Sequence, residues 1–396
     1  MIVRFPIVRA ATVGLLVIGL AGCNTIKGWF GKGDKTAEAG EPAELVDFEP
    51  AFKPERLWRE SIGKGEQRLW LRQAPAVAEG RVYTADASGR VKALALETGR
   101  EVWAVKSKLR YSTSPGVGAG YVVVGTMEGQ VVALDADTGG ERWSVRVLSE
   151  VASRPLISEG LAIVRSSDGR VYGLDLADGR RRWVFARGLP ALTVRGNGAP
   201  VLGQGVVYVG YDDGTVVALR AQDGLRVWER SVAEPEGRSE LDRMADVDGE
   251  LAVGLDAVFA ASFKGRLAAL TANGGSPVWN RELKSATGVA LARDRVLAVD
   301  VQGDVWALDR NNGNAVWRQD ALAMRWLSSP AVQGEHAVVG DLEGYLHWLR
   351  LDSGDFVARI KHGGDPIRAT PQVSPEGILV VVDTDGRLAA YRIGGG

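Results

Sequence analysis

The chain has 396 residues, 45% of them hydrophobic, and its 48 basic side chains almost balance 49 acidic ones. That balance gives no electrostatic case for a nucleic-acid partner, and a single cysteine excludes internal disulfides. The length is enough to bury a large core.

At the N-terminus, Arg4 and Arg9 form a short positive region, followed by an apolar run over residues 10–20. The run is short of the ~20 residues of a comfortable membrane span, so residues 1–22 read as a secretory signal. It ends in "LAGC", with small residues before Cys23. This motif resembles the lipobox of bacterial lipoproteins. The resemblance implies that Cys23 is acylated, with chains such as palmitate, and becomes the first residue of the mature protein. Acyl chains would hold it to a membrane surface. Asn24 in place of aspartate implies, by the same resemblance, the periplasmic face of the outer membrane. Residues 23–54 contain "KGWFGKGDKTAEAGEPAELVDFEP", poor in strand formers, and are expected to be a flexible tether.

From residue 55 to 396 one phrase recurs. "SPGVGAGYVVVGTMEGQVVALDADTGGERWSVR" (114–146) aligns with "APVLGQGVVYVGYDDGTVVALRAQDGLRVWERS" (199–231). Each unit reads as four short apolar strands separated by Gly or Asp-Gly turns. The glycine of the second turn counts eight units: Gly89, Gly129, Gly169, Gly214, Gly265, Gly303, Gly344 and Gly386. A tryptophan marks the fourth strand at Trp103, Trp143, Trp183, Trp228, Trp279 and Trp317, and the seventh unit has Ala358 there. The eighth unit has no fourth strand of its own, while Trp58 has a strand without a unit. The N-terminal strand is therefore expected to complete the last unit. Eight four-stranded antiparallel units closed in this way give an all-β, eight-bladed β-propeller, with the tryptophans packed between blades. The phrase "ALDADTGGERW" resembles the repeat of quinoprotein dehydrogenases, which implies the fold more than the activity.

The chain carries no visible catalytic set. That dehydrogenase resemblance implies a calcium site, a catalytic aspartate and often a vicinal disulfide, yet the chain has no cysteine pair and no long insert to roof a quinone. His336, His347 and His362 show no metal-ligand spacing. The turns "DADTGG" (135–140) and "DTDGR" (383–387) suit hairpins. "DVDGE" (246–250) fails as a calcium loop, since its glycine is fourth rather than sixth and Ala257 stands twelfth. No nucleophile elbow or phosphate loop is present. No cofactor, metal or catalytic residue is therefore expected. A quinone- or sugar-binding propeller using the central channel is the alternative to a non-enzymatic scaffold.

The tryptophan markers also show where the repeat breaks. Trp103, Trp143 and Trp183 are 40 residues apart, whereas Trp183 to Trp228 is 45 and Trp228 to Trp279 is 51. The extra residues follow two successive fourth strands, so both emerge on one face of the disc, where insertions in repeat proteins commonly bind. The first, "RGLPALTVRGNG" (187–198), places Leu192 and Val194 beside Arg195. The second, 229–250, carries eight acids against three arginines. Apolar anchors with a charged rim fit a protein interface.

Lipobox, tether, eight quinoprotein-type units and the loop motifs "LTVRG" and "ELDRMADVD" together resemble the BamB family, lipoproteins of the β-barrel assembly machinery. The resemblance implies a non-enzymatic scaffold in the Bam complex. It implies that the two loops contact the periplasmic POTRA domains of BamA through Leu192, Val194, Arg195, Asp246 and Asp248, and that the protein aids insertion of outer-membrane β-barrels. Val194 stands where some members have leucine. Unfolded outer-membrane proteins are a further expected partner, through an exposed blade edge.

Overall fold

The computed structural model describes residues 41–394 except 67–68, 152, 189–197, 234–246, 248 and 264. Among these residues there are eight four-stranded antiparallel sheets and no helix. The first strand of each blade lies beside the first strands of its two neighbours, and Ala76–Ala78 lies beside Gln372–Val373, so the innermost strands form a closed ring. Seven blades, spanning 76–106, 116–146, 156–185, 201–231, 252–282, 290–319 and 331–361, are contiguous in sequence. The eighth is not. Its fourth strand is Glu55–Ser61, paired antiparallel with Arg387–Arg392, as the unmatched Trp58 leads one to expect.

Burial explains the composition of each strand. The second and third strands of a blade, such as Tyr121–Gly125 and Gln130–Asp135, are apolar almost throughout because neighbouring blades cover both faces. The outermost strand has solvent along one edge and keeps one deep anchor, its tryptophan. Each of these indoles is only 8% exposed. Each crosses to the next blade. Trp58, Trp103, Trp143, Trp183, Trp228, Trp279 and Trp317 donate their indole N–H to the carbonyls of Leu96, Ala136, Leu176, Ala221, Ala272, Arg310 and Leu351, at 2.6–3.0 Å. The ring then lies over the last turn of that blade. At Gly99 the backbone is left-handed (φ 69°) and a Cβ would stand 2.6 Å from the Trp58 ring, so glycine is required on both counts.

The exception at Ala358 has a structural cause. The eighth blade has no turn between its third and fourth strands, because its fourth strand comes from the other end of the chain. No turn is there to receive an indole. In seven of the eight blades the tryptophan pairs across to a small third-strand residue, as Trp103 does with Ala93 and Trp58 with Ala390. In the seventh the pair is exchanged: Trp348 is on the third strand and Ala358 opposite. Trp348 is fully buried and donates to the Gln333 amide oxygen at 2.8 Å. The bulk is kept and its position is swapped.

The expected tether is too long at its C-terminal end. Residues 41–54 lie along the outside of the seventh blade. Ala43 N–H donates to Ala323 and Ala51 N–H to Val357. Arg325 and Arg359 donate to the carbonyls of Ala43 and Val46, each at 2.8 Å. Phe48 stacks on Phe356 at 5.4 Å, and Arg359 lies 4.9 Å above the Phe48 ring. Behind this strap, Arg325 pairs with buried Asp341 at 2.8 Å. Arg359 donates to Nδ1 of His347, whose Nε2–H therefore faces Asp341 at 3.0 Å. Burial holds the His347 pKa down. Leu45 and Phe52 add apolar contact to the blade cores. Composition alone reads this stretch as linker, because its ordering comes from two arginines more than 280 residues away.

The histidines are structural. His362 bonds Tyr391 Oη through Nδ1 (2.9 Å) and the Arg387 carbonyl through Nε2 (3.0 Å), inside the closing blade. Burial, reinforced by neighbouring arginines, pushes its pKa down to about 4 despite the carbonyl acceptor. The unfolded state, near 6.5, binds the proton first, so stability is lost as pH falls from about 6.5 towards 4 and is restored as pH rises. The expected loss between pH 7.5 and 4.5 is roughly 2–3 kcal/mol from this group. Urea midpoints at the two pH values, compared with those of His362→Gln, measure it; an equal pH dependence in the variant would remove His362 as the cause. Among the described residues no three His, Cys, Asp or Glu side chains converge as a metal site. The turn aspartates cap backbone: Asp135 accepts from Asp137 and Thr138 N–H, and Asp383 from Asp385 and Arg387 N–H.

Candidate functional site

In blades one, two, four, seven and eight the chain leaves the fourth strand and runs back over the second turn. Val147 N–H donates to Gly129, Val232 N–H to Gly214 and His362 N–H to Gly344. Second turns and blade-to-blade connections therefore share one face. A connection then drops an apolar residue onto the end of the second strand. Val151, Val247 and Ile367 do this in blades two, four and seven, against Gly125, Gly210 and Gly340. A Cβ on Gly210 would stand 2.6 Å from Val247. In blade two, residues 148–150 join the two anchor points. In blade four, residues 233–246 do so. The acidic insertion is therefore added between two anchors that the repeat already supplies.

The five expected contact residues, Leu192, Val194, Arg195, Asp246 and Asp248, lie outside the described residues, as does Cys23. The roots of both loops are described, and they meet at one turn, Tyr211 to Gly214. Arg187, at the start of the first loop, pairs with Asp213 at 2.7 Å and Glu229 at 2.9 Å, and its guanidinium lies 5.0 Å from the Tyr211 ring centre. Arg165 reaches Gly198 O at the loop's end (3.2 Å) and Asp212 (3.1 Å), and lies 5.2 Å from the same ring. The second loop leaves through Val232 and Ala233, both donating to Gly214 O, and returns with Val247 N–H on Tyr211 O. Tyr211 is fully buried between the two guanidiniums. Its hydroxyl faces Gly169 O at 3.2 Å, and burial pushes its pKa up to about 12.

Two acids counted in the second loop have structural roles. Glu229 lies in a strand and holds Arg187, and Glu250 pairs with Arg154 at 3.3 Å. Sequence reading missed Arg165, Arg187, Tyr211, Asp212 and Asp213. A signal existed for two of them. Arg165 stands where blades two, four and seven have glycine, and Arg187 where blades two and four have Val147 and Val232.

Among the described residues, two ties cross the centre of this face. Arg154, before the third blade, meets Glu250, before the fifth, and Arg72, before the first, donates to Ala286 O, before the sixth, at 3.1 Å. The remaining space at the channel mouth is about 60 Å³, well under the ~300–1,000 Å³ of small-molecule sites.

Comparisons with known proteins agree with this fold. The family model described as outer membrane protein assembly factor BamB matches residues 87–319 and 301–396. The chain is 47% identical to the outer membrane protein assembly factor BamB of Xanthomonas campestris pv. campestris over 97% of each chain. The crystal structure of BamB from Moraxella catarrhalis superposes with a TM-score of 0.79 at 27% identity, over 86% of this chain and 100% of that one. A quinohemoprotein alcohol dehydrogenase from Pseudomonas putida shares the fold alone, with a TM-score of 0.68 at 13% identity over 88% of this chain and 77% of that one. On the family model and on this identity over nearly its whole length, the chain belongs to the BamB family of outer membrane protein assembly factors.

Proposed function

We propose that this protein is a non-enzymatic lipoprotein scaffold, held by acylated Cys23 at the periplasmic face of the outer membrane, that binds the POTRA domains of BamA through its two long loops. The observation that carries the reading is the shared root. Two insertions that are separate in sequence are pinned to one turn by Arg165, Arg187 and Val247. A rigid base under two loops lowers the ordering cost of an interface. Leu192 and Val194 supply apolar anchors, Arg195 a charge-assisted contact, and Asp246 and Asp248 either contact the partner or order the loop. The domain plan is a signal over residues 1–22, an acylated Cys23 with its tether, and the propeller from residue 55.

The test is co-purification with BamA from membranes. Leu192→Ala with Arg195→Ala removes two anchors worth ~1–2 kcal/mol each, so affinity is expected to fall roughly 30- to 700-fold with the melting curve unchanged. Undiminished recovery from the folded double variant would exclude this patch. Calorimetry with pyrroloquinoline quinone and calcium tests the alternative, and saturable binding would revive it.

A further inference from the structure

The same face carries a second concave site, formed by blades five to eight. It is a groove of about 350 Å³, six times the room at the channel mouth. Trp70 and Trp326 stand in its walls, 53% and 64% exposed, with Phe263 and Val301 at 36% and 38%. A soluble surface seldom gathers large apolar side chains in this way without a partner, and tryptophan is enriched where proteins bind. The backbone makes the exposure more informative. Trp70, Arg72, Met324 and Trp326 all have left-handed φ, at 57°, 49°, 58° and 51°. Side chains with a Cβ avoid that region, and where they are held in it the surrounding structure imposes it. Here Met324 N–H is fixed on Gln302 O at 2.6 Å, and Arg325, between Met324 and Trp326, is locked in its buried pair with Asp341. The chain holds Trp326 outward on a rigid mount.

The groove lining carries two arginines and one aspartate. Arg368 lies over the Trp70 ring at 3.7 Å, with the buried Glu66 carboxylate behind it at 3.9 Å, and Arg72 is in the adjoining wall. Asp300, the acid of the lining, is already used: one oxygen accepts from the N–H groups of Gln302 and Asp304 and the other from the Trp306 indole. An aromatic surface beside guanidiniums selects a planar apolar group next to a carboxylate. We propose that this groove binds an extended polypeptide segment in which an aromatic residue adjoins an acidic one. A polypeptide supplies both groups on neighbouring residues, whereas an acyl chain supplies neither. The groove wall also continues into the acidic loop: Val289 N–H donates to Glu250 O, and Gly249 packs against the Thr287 carbonyl. A chain lying in the groove therefore passes beside Gly249 and Glu250, the described end of the acidic loop.

The test uses the full chain and a capped five-residue peptide with two phenylalanines flanking an aspartate, followed by calorimetry. Saturable binding is expected, weakened about tenfold or more by Trp326→Ala, by Arg368→Glu, and by lysine in place of the peptide aspartate. Leu192→Ala with Arg195→Ala is expected to leave peptide affinity unchanged. Trp326 is exposed, so its variant keeps the wild-type melting temperature, and Arg368→Glu tests the charge through a second position. Four results would overturn the proposal: no saturable binding, equal affinity for the lysine peptide, affinity indifferent to both variants, or Trp326-dependent self-association or vesicle binding in place of peptide binding.

Discussion

Deletion of residues 55–62 is expected to leave an aggregating chain with no cooperative unfolding transition. The segment supplies the whole fourth strand of the eighth blade, paired from Glu55 with Arg392 to Ser61 with Arg387. Without it, Arg387–Arg392 becomes an open edge that carries the apolar Leu388 and Ala390 of the closing core. Open edges template association between chains. The segment also carries Trp58, which joins the eighth blade to the first through Leu96 O and the Gly99 turn. The milder variant Trp58→Ala separates the two contributions. It keeps the ladder and loses the indole, at a cost of about 3–5 kcal/mol, or a melting temperature lower by roughly 5–15 °C. Sedimentation and calorimetry on both variants measure this. A monomeric deletion variant with a single sharp transition would mean that the ring does not need its shared blade.

Arg165→Met is expected to destabilise the propeller by about 3–5 kcal/mol and to release the base of the loop face. Arg165 and Asp212 are both almost fully buried, and breaking a buried ion pair is strongly destabilising. The substitution also takes the donor from Gly198 O and one of the two cations from Tyr211. Arg187→Met, whose partners are a quarter exposed, is expected to cost only about 1 kcal/mol. If the shared root organises the interface, both variants lose BamA co-purification beyond what their stability loss explains, Arg165→Met the more. An Arg165→Met protein with full stability and full BamA recovery would show that this bracket holds nothing.

Much of the architecture was legible because each blade solves the same local problem. Seven of the eight turn glycines used for counting have left-handed φ, a need that shows in any sequence as glycine at a fixed offset. The tryptophans were legible as blade anchors, and Ala358 as a gap. Why the gap falls there was not, since the missing receptor turn exists only once the first strand has paired with the last. The strap at 41–54 was misread for a similar reason: proline and glutamate look like linker until Arg325 and Arg359 supply their long-range partners. The loop positions were legible as spacing. Their common root was not, because Arg165 and Arg187 are single departures within otherwise regular repeats.

The sequence by itself determined the eight blades, the closing role of the N-terminal strand, and the two junctions where the repeat is lengthened. These are periodic features, set by strand alternation, turn conformation and the volume of one indole per blade. Only the tertiary structure decided that both junctions hang from Tyr211 to Gly214, that two ties cross the channel mouth, and that Trp70 and Trp326 face outward beside Arg72 and Arg368. Those depend on contacts between blades far apart in sequence. Long-range pairing between single side chains leaves no period for a sequence to display.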